Sequence, residues 1–166
     1  DMNAIRRDEE TDNIHSIFVD QWDWELILRE GERSEQTLRT VVRKIYAALQ
    51  ATESYICSIY AHITPELPDA ITFVTTQELE DRYPNKTPKE REYLAVREHG
   101  AVFLMGVGGA LKSGKIHDGR APDYDDWTLN GDILLYYKPL DISLEVSSIG
   151  IRVNPEALRR QLALRG

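Results

Sequence analysis

Apolar and polar residues alternate along residues 14–24, which places Ile14, Phe18 and Trp22 on the same side of an extended chain. A period of two, rich in β-branched and aromatic residues, predicts a β-strand, and a charged loop precedes it. Further along, the spacing of apolar residues changes to three and four. This change predicts one long packed helix over residues 34–60.

Short local signals predict the next elements. Residues 71–75 have the composition of a short strand, and Thr75 with Glu78 resembles the capping box of a short helix. The run Thr-Pro-Lys-Glu at residues 87–90 predicts a second helix start, and Gly100 is placed to end that helix in a left-handed conformation.

The C-terminal part of the chain predicts further strands. They cover residues 101–107, 132–137 and 142–153, and Asn154 then caps a final helix. Strands joined by hairpins, with helices between them, predict an α+β fold around a mainly antiparallel sheet flanked by helices. We predict a single domain over residues 1–166.

Composition narrows the classes of partner. The 166 residues include 20 Lys and Arg against 28 Asp and Glu, for a formal charge of −8. This balance argues against a nucleic-acid partner, which would require a basic surface. Because no run of about 18 apolar residues occurs, we expect no membrane partner. Cys57 is the single cysteine, and with no disulfide framework we expect a cytoplasmic protein.

Residues 109–115 match the spacing of a phosphate-binding loop. However, Ile116 stands where magnesium chemistry requires Ser or Thr, and Gly119 and Pro122 prevent the helix that would hold the phosphates. We therefore predict a hairpin turn here.

The run from residue 117 to 127 combines four carboxylates with His, Arg, Tyr and Trp. A loop rich in both charge and aromatic rings is typical of a small-molecule site. The alternative is an exposed acidic loop whose aromatic rings pack back onto the protein.

Residues 21–25 carry a second group of polar side chains. If the strand continues through them, Gln21, Asp23 and Glu25 share one face and the two tryptophans the other. Such a face suits a zwitterionic or amide ligand, and the alternative is an edge strand with one solvated face.

The same alternation in residues 142–147 places Ser143, Glu145 and Ser147 on one face, and Ile142, Leu144 and Val146 in the core. Asp132 in the preceding strand could pair with Glu145. Two carboxylates facing one space would bind Mg²⁺ that carries nucleotide phosphates. They could equally be solvated neighbours.

Two arginines are candidates for anion binding. Arg6, in a charged run before the first strand, could clamp a phosphate bidentately, although such a run is more often a solvated loop. Arg152 has the opposite strand parity to Glu145, and it would reach the same side only if a β-bulge falls near Gly150.

Taken together, these motifs resemble the ammonia-dependent asparagine synthetase (aspartate–ammonia ligase) family, which is related to the catalytic core of class II aspartyl- and asparaginyl-tRNA synthetases. The similar blocks follow the family's order and cover residues 1–10, 15–25, 100–104, 120–127, 129–134 and 145–152.

The resemblance implies a class II aminoacyl-tRNA synthetase-like core, a homodimer, and amidation of L-aspartate by ammonia that depends on ATP and Mg²⁺. In that chemistry the side-chain carboxylate of aspartate attacks the α-phosphorus of ATP and forms β-aspartyl-AMP and pyrophosphate. Ammonia then displaces AMP to give asparagine.

The resemblance also implies roles for individual residues. Arg6 corresponds to the arginine that holds the α-phosphate, and Gln21 and Asp23 to residues that contact the amino acid. Asp125 falls in the same pocket and is expected to steer ammonia. Arg6, Gln21 and Asp125 are the expected catalytic residues. The other matches are Asp132 and Glu145 for metal and nucleotide, Ser147, Ser148 and Arg152 for the substrate, and Ile14 and Val19 for adenine.

Parts of the family pattern are absent from this sequence. We therefore expect further residues before Asp1, after Gly166 and after Trp127. The alternative is a catalytically inactive fragment that binds an amino acid or adenylate on the same scaffold. A third interpretation, a tRNA synthetase, is disfavoured by the charge of −8 and by the lack of an anticodon-binding domain.

Overall fold

The structure is a computed structural model that describes residues 1–165, the last of them by its backbone only. The chain forms two compact units, Asp1–Glu32 and Arg33–Gly166. The first unit contains a two-stranded sheet and the second a four-stranded sheet. That residues 1–166 act as one catalytic domain stays a prediction.

The first unit is an antiparallel pair of short strands, β1 (Met2–Ile5) and β2 (Phe18–Gln21). The predicted strand over residues 14–24 is therefore too long, and β1 was not predicted. Asp12 explains the late start, because its carboxylate accepts hydrogen bonds of 2.8 Å from the backbone N–H groups of residues 14 and 15 and holds them in a turn. Gln21, the last residue of β2, lies opposite Met2, the first residue of β1.

Four helices belong to the second unit, and each was predicted from a local signal. They are α1 (Glu35–Ile59), α2 (Thr76–Arg82), α3 (Pro88–His99) and α4 (Pro155–Arg165). Both predicted capping boxes are formed, at Thr75 and at Thr87, and Gly100 ends α3 with φ of 74°. Among the residues described, none of the helices is long and apolar enough to cross a membrane.

The capping box of α3 gives a prediction for acid stability. Glu90 accepts hydrogen bonds from the backbone N–H and the hydroxyl of Thr87 at 2.8 and 3.0 Å and from Lys86 at 2.9 Å. These contacts lower the pKa of Glu90 from 4.5 to about 2. Because the folded pKa lies below the unfolded one, this stabilisation is complete above pH 4.5 and is lost as the pH falls towards 2.

Replacing Glu90 with Gln is therefore expected to destabilise the chain at neutral pH and to reduce its loss of stability in acid. Urea unfolding of both proteins across this pH range measures the difference. Equal pH slopes in the two proteins would contradict the prediction.

The sheet of the second unit has the order β3-β4-β5-β6. Strand β3 (Thr72–Thr75) pairs in parallel with β4 (Ala101–Met105), since α2 and α3 form the crossover between them. Strands β5 (Asp125–Tyr137) and β6 (Ile142–Arg152) continue the sheet in antiparallel pairs. The predicted α+β class is confirmed, and the sheet is mixed, with antiparallel pairing in two of its three strand pairs.

Apolar side chains cover both faces of this sheet. The α1 face contains Leu38, Val42, Tyr46, Phe103, Ile133 and Ile149. The opposite face, packed by α2 and α3, contains Leu79, Ala95, Val96, Val102, Leu104 and Leu134. The four-stranded sheet therefore lies between two helical layers, and a polar group on either face is held by a packed neighbourhood.

The sequence predicted a hairpin turn at residues 109–115 and a strand that begins at Asp132. Residues 110 and 116 form an antiparallel bridge around a turn, in which Leu111 donates to Lys115 at 2.8 Å, so the predicted hairpin turn is confirmed. Strand β5 begins at Asp125, seven residues before the predicted start at Asp132, and its pairing with β6 is irregular between Asp125 and residue 130. The expected omission after residue 127 falls in this irregular part and stays a prediction.

Candidate functional site

A β-bulge in β6 decides which polar side chains share a face. Asp132 lies opposite Ser148, but Leu134 lies opposite Glu145, so Val146 is the extra residue of the bulge. As a result, Glu145 and Ser148 lie on the same face of the sheet as Asp132, the face packed by α2 and α3.

The bulge corrects three predictions about β6. Ser147 lies opposite Ile133, on the α1 face, so it does not share a face with Glu145. Val146 is exposed and is not a core residue. Arg152 does lie on the Glu145 face, but the bulge responsible is at Val146 and not near Gly150.

Asp132 is the most buried acid of this face, with 4% of its surface exposed. One guanidinium nitrogen of Arg120 donates to both of its carboxylate oxygens and lies 3.5 Å from the hydroxyl of Ser148. Burial raises the pKa of Asp132 although the charge of Arg120 opposes the shift. The pKa of Glu145 is also raised, by partial burial of its carboxyl group and then by the negative charge of Asp132. The two acids therefore interact electrostatically.

A second group of polar side chains, centred on the buried carboxylate of Glu92, lies beside these acids. His117 Nε2 is 3.0 Å from Glu92 Oε1, and Lys89 Nζ is 3.0 Å from the other oxygen of Glu92. The negative charge of Glu92 contributes to the raised pKa of both Asp132 and Glu145. Sequence reasoning assigned no role to Glu92, to His117 or to Arg120. The last two belong to the charged run 117–127, which was the available signal.

At the other end of the face, Asp125 and Arg152 form an ion pair between the start of β5 and the end of β6. The guanidinium carbon of Arg152 lies 3.5 Å from the ring centroid of Tyr124. Gly150 leaves the space that Asp125 occupies, since a Cβ at that position would lie 2.6 Å from Asp125 Oδ2. This pair presents a planar cation and a carboxylate side by side.

The run 117–127 is a loop with residues 119, 121, 123 and 124 exposed, and it is tied to the rest of the second unit through buried groups. Trp127 is buried, and its indole N–H donates to the carbonyl oxygen of Ala121 at 3.3 Å. Gln161 of α4 is fully buried and makes three backbone contacts to the run, donating to Pro122 O at 2.8 Å and to Asp125 O at 3.1 Å and accepting from Trp127 N–H at 2.9 Å. The sequence predictions did not include Gln161. Residues four apart lie on the same side of a helix, so its spacing from the buried Ala157 was the available signal.

The remaining predicted site residues belong to the first unit. Arg6 is half exposed and pairs with Glu9 at 2.5 Å, Gln21 ends β2 half-buried, and Asp23 is exposed beyond the strand. Since β2 stops at Gln21, the shared polar face proposed for residues 21–25 does not follow. The tryptophans do not back such a face within this unit, because Trp22 is 86% exposed. Ile14 is exposed in the loop before β2, and Val19 is half-buried in that strand.

The donor set of the acidic face suits a hard cation. Over the described residues 1–165, no group of three or more His, Cys, Asp or Glu side chains is arranged to hold a metal ion. Asp132 and Glu145 together offer two carboxylates on one face, which is the number that Mg²⁺ commonly takes from a protein when substrate phosphates and water complete its shell.

The Asp125–Arg152 pair can be tested through Gly150. Replacing Gly150 with Ala is expected to push the Asp125 carboxylate away from Arg152 and to destabilise the chain by about 1–3 kcal/mol, because the added methyl group overlaps Asp125. Urea unfolding measures the loss of stability. A change in the NMR signal of the Arg152 guanidinium group reports the loss of its ion pair with Asp125. Gly119→Ala is the matched control, since a Cβ there meets nothing within 4 Å. A Gly150→Ala protein with an unchanged Arg152 signal would disprove this packing argument.

Comparisons with known proteins agree over the whole chain. A profile of the family described as aspartate-ammonia ligase matches residues 1–166. The aspartate–ammonia ligase of Fusobacterium nucleatum subsp. nucleatum is 59% identical over 164 residues, which are 99% of this chain and 50% of that protein. The enzymes of the same name from Clostridium perfringens (strain SM101) and Levilactobacillus brevis are 60% and 55% identical, each covered over 49% of its length. The chain thus spans about half the length of the curated relatives it matches.

Proposed function

The chain belongs to the aspartate–ammonia ligase family, and from this premise we propose that the protein forms L-asparagine from L-aspartate, ammonia and ATP. The observation that carries the proposal is the face of β5 and β6 on which the Asp125–Arg152 pair and the acids Asp132 and Glu145 lie together. One end of this face suits an amino-acid carboxylate, and the other suits the cation that accompanies nucleotide phosphates.

The proposed reaction has two steps. A β-carboxylate oxygen of aspartate attacks the α-phosphorus of ATP, and the bond from that phosphorus to the pyrophosphate oxygen breaks. Ammonia then attacks the β-carbonyl carbon of β-aspartyl-AMP, the carbon–oxygen bond to AMP breaks, and the nitrogen loses a proton. The products are asparagine, AMP and pyrophosphate.

Arg152 is the proposed partner of the substrate carboxylate, because its planar guanidinium matches two carboxylate oxygens. Asp125 orients Arg152 through their ion pair and provides the negative charge that would attract ammonium. Of the two serines in the proposal, Ser148 lies on this face and Ser147 on the α1 face, so we assign the direct substrate contact to Ser148.

Asp132 and Glu145 are the proposed ligands of Mg²⁺. When bound, the ion would neutralise charge on the ATP phosphates and so favour both attack at phosphorus and loss of pyrophosphate. The protein's own contribution is to hold the two carboxylates on adjacent strands of one sheet, where the packing of β5 and β6 fixes their separation.

The roles of the first-unit residues rest on the family resemblance. Arg6 would stabilise the negative charge that develops around the α-phosphorus, which is an electrostatic contribution made mainly in the transition state. Gln21 and Asp23 would contact the amino acid, and Ile14 and Val19 the adenine ring. A class II synthetase-like core and a homodimer complete the proposal on the same basis, and a cytoplasmic location is proposed from the single cysteine.

An isotope experiment with the purified protein tests the reaction. Aspartate labelled with ¹⁸O in its β-carboxylate is incubated with ATP, Mg²⁺ and ammonia, and we expect one asparagine, one AMP and one pyrophosphate per turnover, with ¹⁸O in the AMP phosphate. Formation of ADP, or binding of aspartate and ATP without asparagine, would contradict the proposal. Esterification of tRNA without ammonia would instead identify a synthetase.

Replacing Arg152 with Gln is expected to raise the KM for aspartate by tenfold or more, since a hydrogen bond to a charged group is worth about 1.5–3 kcal/mol. Arg82→Gln is the control, because Arg82 pairs with Glu98 on the surface and lies outside the proposed site. Steady-state kinetics at varied aspartate concentration provides the measurement. An unchanged KM in Arg152→Gln would remove Arg152 from the substrate site.

A further inference from the structure

We infer that Arg120 and a divalent cation compete for the carboxylate of Asp132, so that the cation binds only after the Arg120–Asp132 ion pair has opened. This inference rests on the proposed function, which places a cation at Asp132 and Glu145. In this inference, Arg120 neutralises Asp132 when no cation is bound and so regulates cation binding. The family resemblance does not imply this role.

The Arg120–Asp132 ion pair occupies the positions that a cation would need. Nη2 of Arg120 donates to both oxygens of Asp132, and the same nitrogen is 3.5 Å from the Ser148 hydroxyl. A magnesium ion would need an Asp132 oxygen at about 2.0–2.1 Å. The guanidinium occupies the space beside both oxygens, and its positive charge would repel a cation there. The two cations therefore cannot share the carboxylate in this arrangement.

The charge of the surrounding face supports the same competition. Asp132 and Glu145 lie on the same face of adjacent strands, and Asp132 is buried, so these two carboxylates need positive charge nearby. Lys89 supplies one cation through its pair with Glu92, and Arg120 supplies the other. A divalent ion at Asp132 and Glu145 would supply that compensation in place of Arg120.

The side chain of Arg120 can move while its backbone stays in place. The side chain of Arg120 keeps 22% of its surface exposed, whereas that of Asp132 keeps only 6%. The backbone on either side is held, because Trp127 donates to the carbonyl of Ala121 and His117 is paired with Glu92. The Arg120–Asp132 ion pair can therefore open by a change of the Arg120 rotamer, without unfolding of residues 117–127.

Binding of Mn²⁺ alone, followed by electron paramagnetic resonance without any substrate, tests the inference. Arg120→Gln is expected to bind Mn²⁺ about tenfold or more tightly than the wild type, because the competing charge is gone. Arg120→Lys keeps the charge but loses the fork of donors, and an intermediate affinity is expected. Asp132→Asn should bind Mn²⁺ much more weakly than all of these, and Arg82→Gln should behave as the wild type.

Thermal unfolding of each variant establishes that it is folded, and both Arg120 substitutions keep the Cβ that packs beside Gly108. Equal or weaker Mn²⁺ binding by Arg120→Gln overturns the competition, and so does absence of binding by wild type and variant alike. Asparagine formation by the wild-type protein is scored separately. If asparagine is formed while Arg120→Gln shows no tighter binding, this inference fails and the proposed function stands. If no asparagine is formed, the proposed function fails whatever the Mn²⁺ result.

Discussion

Replacing Asp126 with Asn is expected to destabilise the folded chain by about 2–4 kcal/mol, one of the largest effects of any conservative substitution in the second unit. Asp126 is 2% exposed and accepts hydrogen bonds from Arg33 at 2.5 Å and from Arg160 at 3.1 Å. The backbone N–H and hydroxyl of Thr128 donate to the same carboxylate at 3.0 and 2.8 Å. An amide keeps the shape but leaves two arginines without their anion.

The pH dependence of this effect has a definite sign. Burial alone would raise the pKa of Asp126, but the hydrogen bonds from Arg33 and Thr128 lower it below the ordinary 3.8. The stabilisation is therefore complete above pH 3.8 and is lost as the pH falls through the lower folded pKa. Urea unfolding measures the difference in the free energy of unfolding between wild type and Asp126→Asn. This difference should be constant near neutral pH and should disappear in acid.

Asp123 provides the matched control, because it is an exposed carboxylate in the same run. Asp123→Asn is expected to change the free energy of unfolding by no more than about 0.5 kcal/mol. A similar small change in Asp126→Asn would show that the two arginines find other partners at no cost.

Replacing Gly131 with Ala is the second large expected effect, a loss of about 3 kcal/mol in the free energy of unfolding. A Cβ at this position would overlap the carbonyl oxygen of Leu104 and lie 2.8 Å from Cζ of Phe103. The first of these is backbone in the middle of the sheet and cannot move aside without breaking the β4–β5 pairing. Phe103 is fully buried, so it has no empty space to enter.

This substitution should also affect the proposed site, since Gly131 directly precedes Asp132 and a displaced β5 would separate Asp132 from Glu145. Gly109→Ala is the control, because a Cβ there meets nothing within 4 Å. Thermal unfolding and Mn²⁺ binding of the two variants give the stability and the site effect separately. A Gly131→Ala protein as stable as Gly109→Ala would mean that the sheet relaxes around the extra methyl group.

The helices could be predicted because their signals are local. Thr75 and Thr87 each accept a hydrogen bond from a backbone N–H three residues later, and this contact depends on nothing distant in the chain. Helix α1 was predicted from the spacing of its own apolar residues. The family resemblance was equally readable, because it rests on short blocks in a fixed order. The strand over residues 14–24 was overestimated because alternation alone did not reveal the turn that Asp12 makes with residues 14 and 15.

The candidate site was only partly predictable. Asp125, Asp132, Glu145, Ser148 and Arg152 were named from the sequence, and the structure places them on one face. That they share a face depends on the bulge at Val146. No rule of alternation reveals such a bulge, since it appears only when the pairing with β5 is known.

Spacing and composition were enough to predict the four helices, the strands of the four-stranded sheet and the family, but not β1. Each of these depends on spacing and composition within a few residues. Tertiary structure alone decided the parallel β3–β4 pair, the side of the sheet on which Ser147 lies, and the contacts of Gln161, Glu92 and Arg120. These features join residues up to 39 positions apart, as between Gln161 and Pro122, and a single polar side chain among apolar neighbours does not encode its distant partner. Buried polar groups must find such partners to offset the loss of water, and packing of the whole unit decides which partners they find.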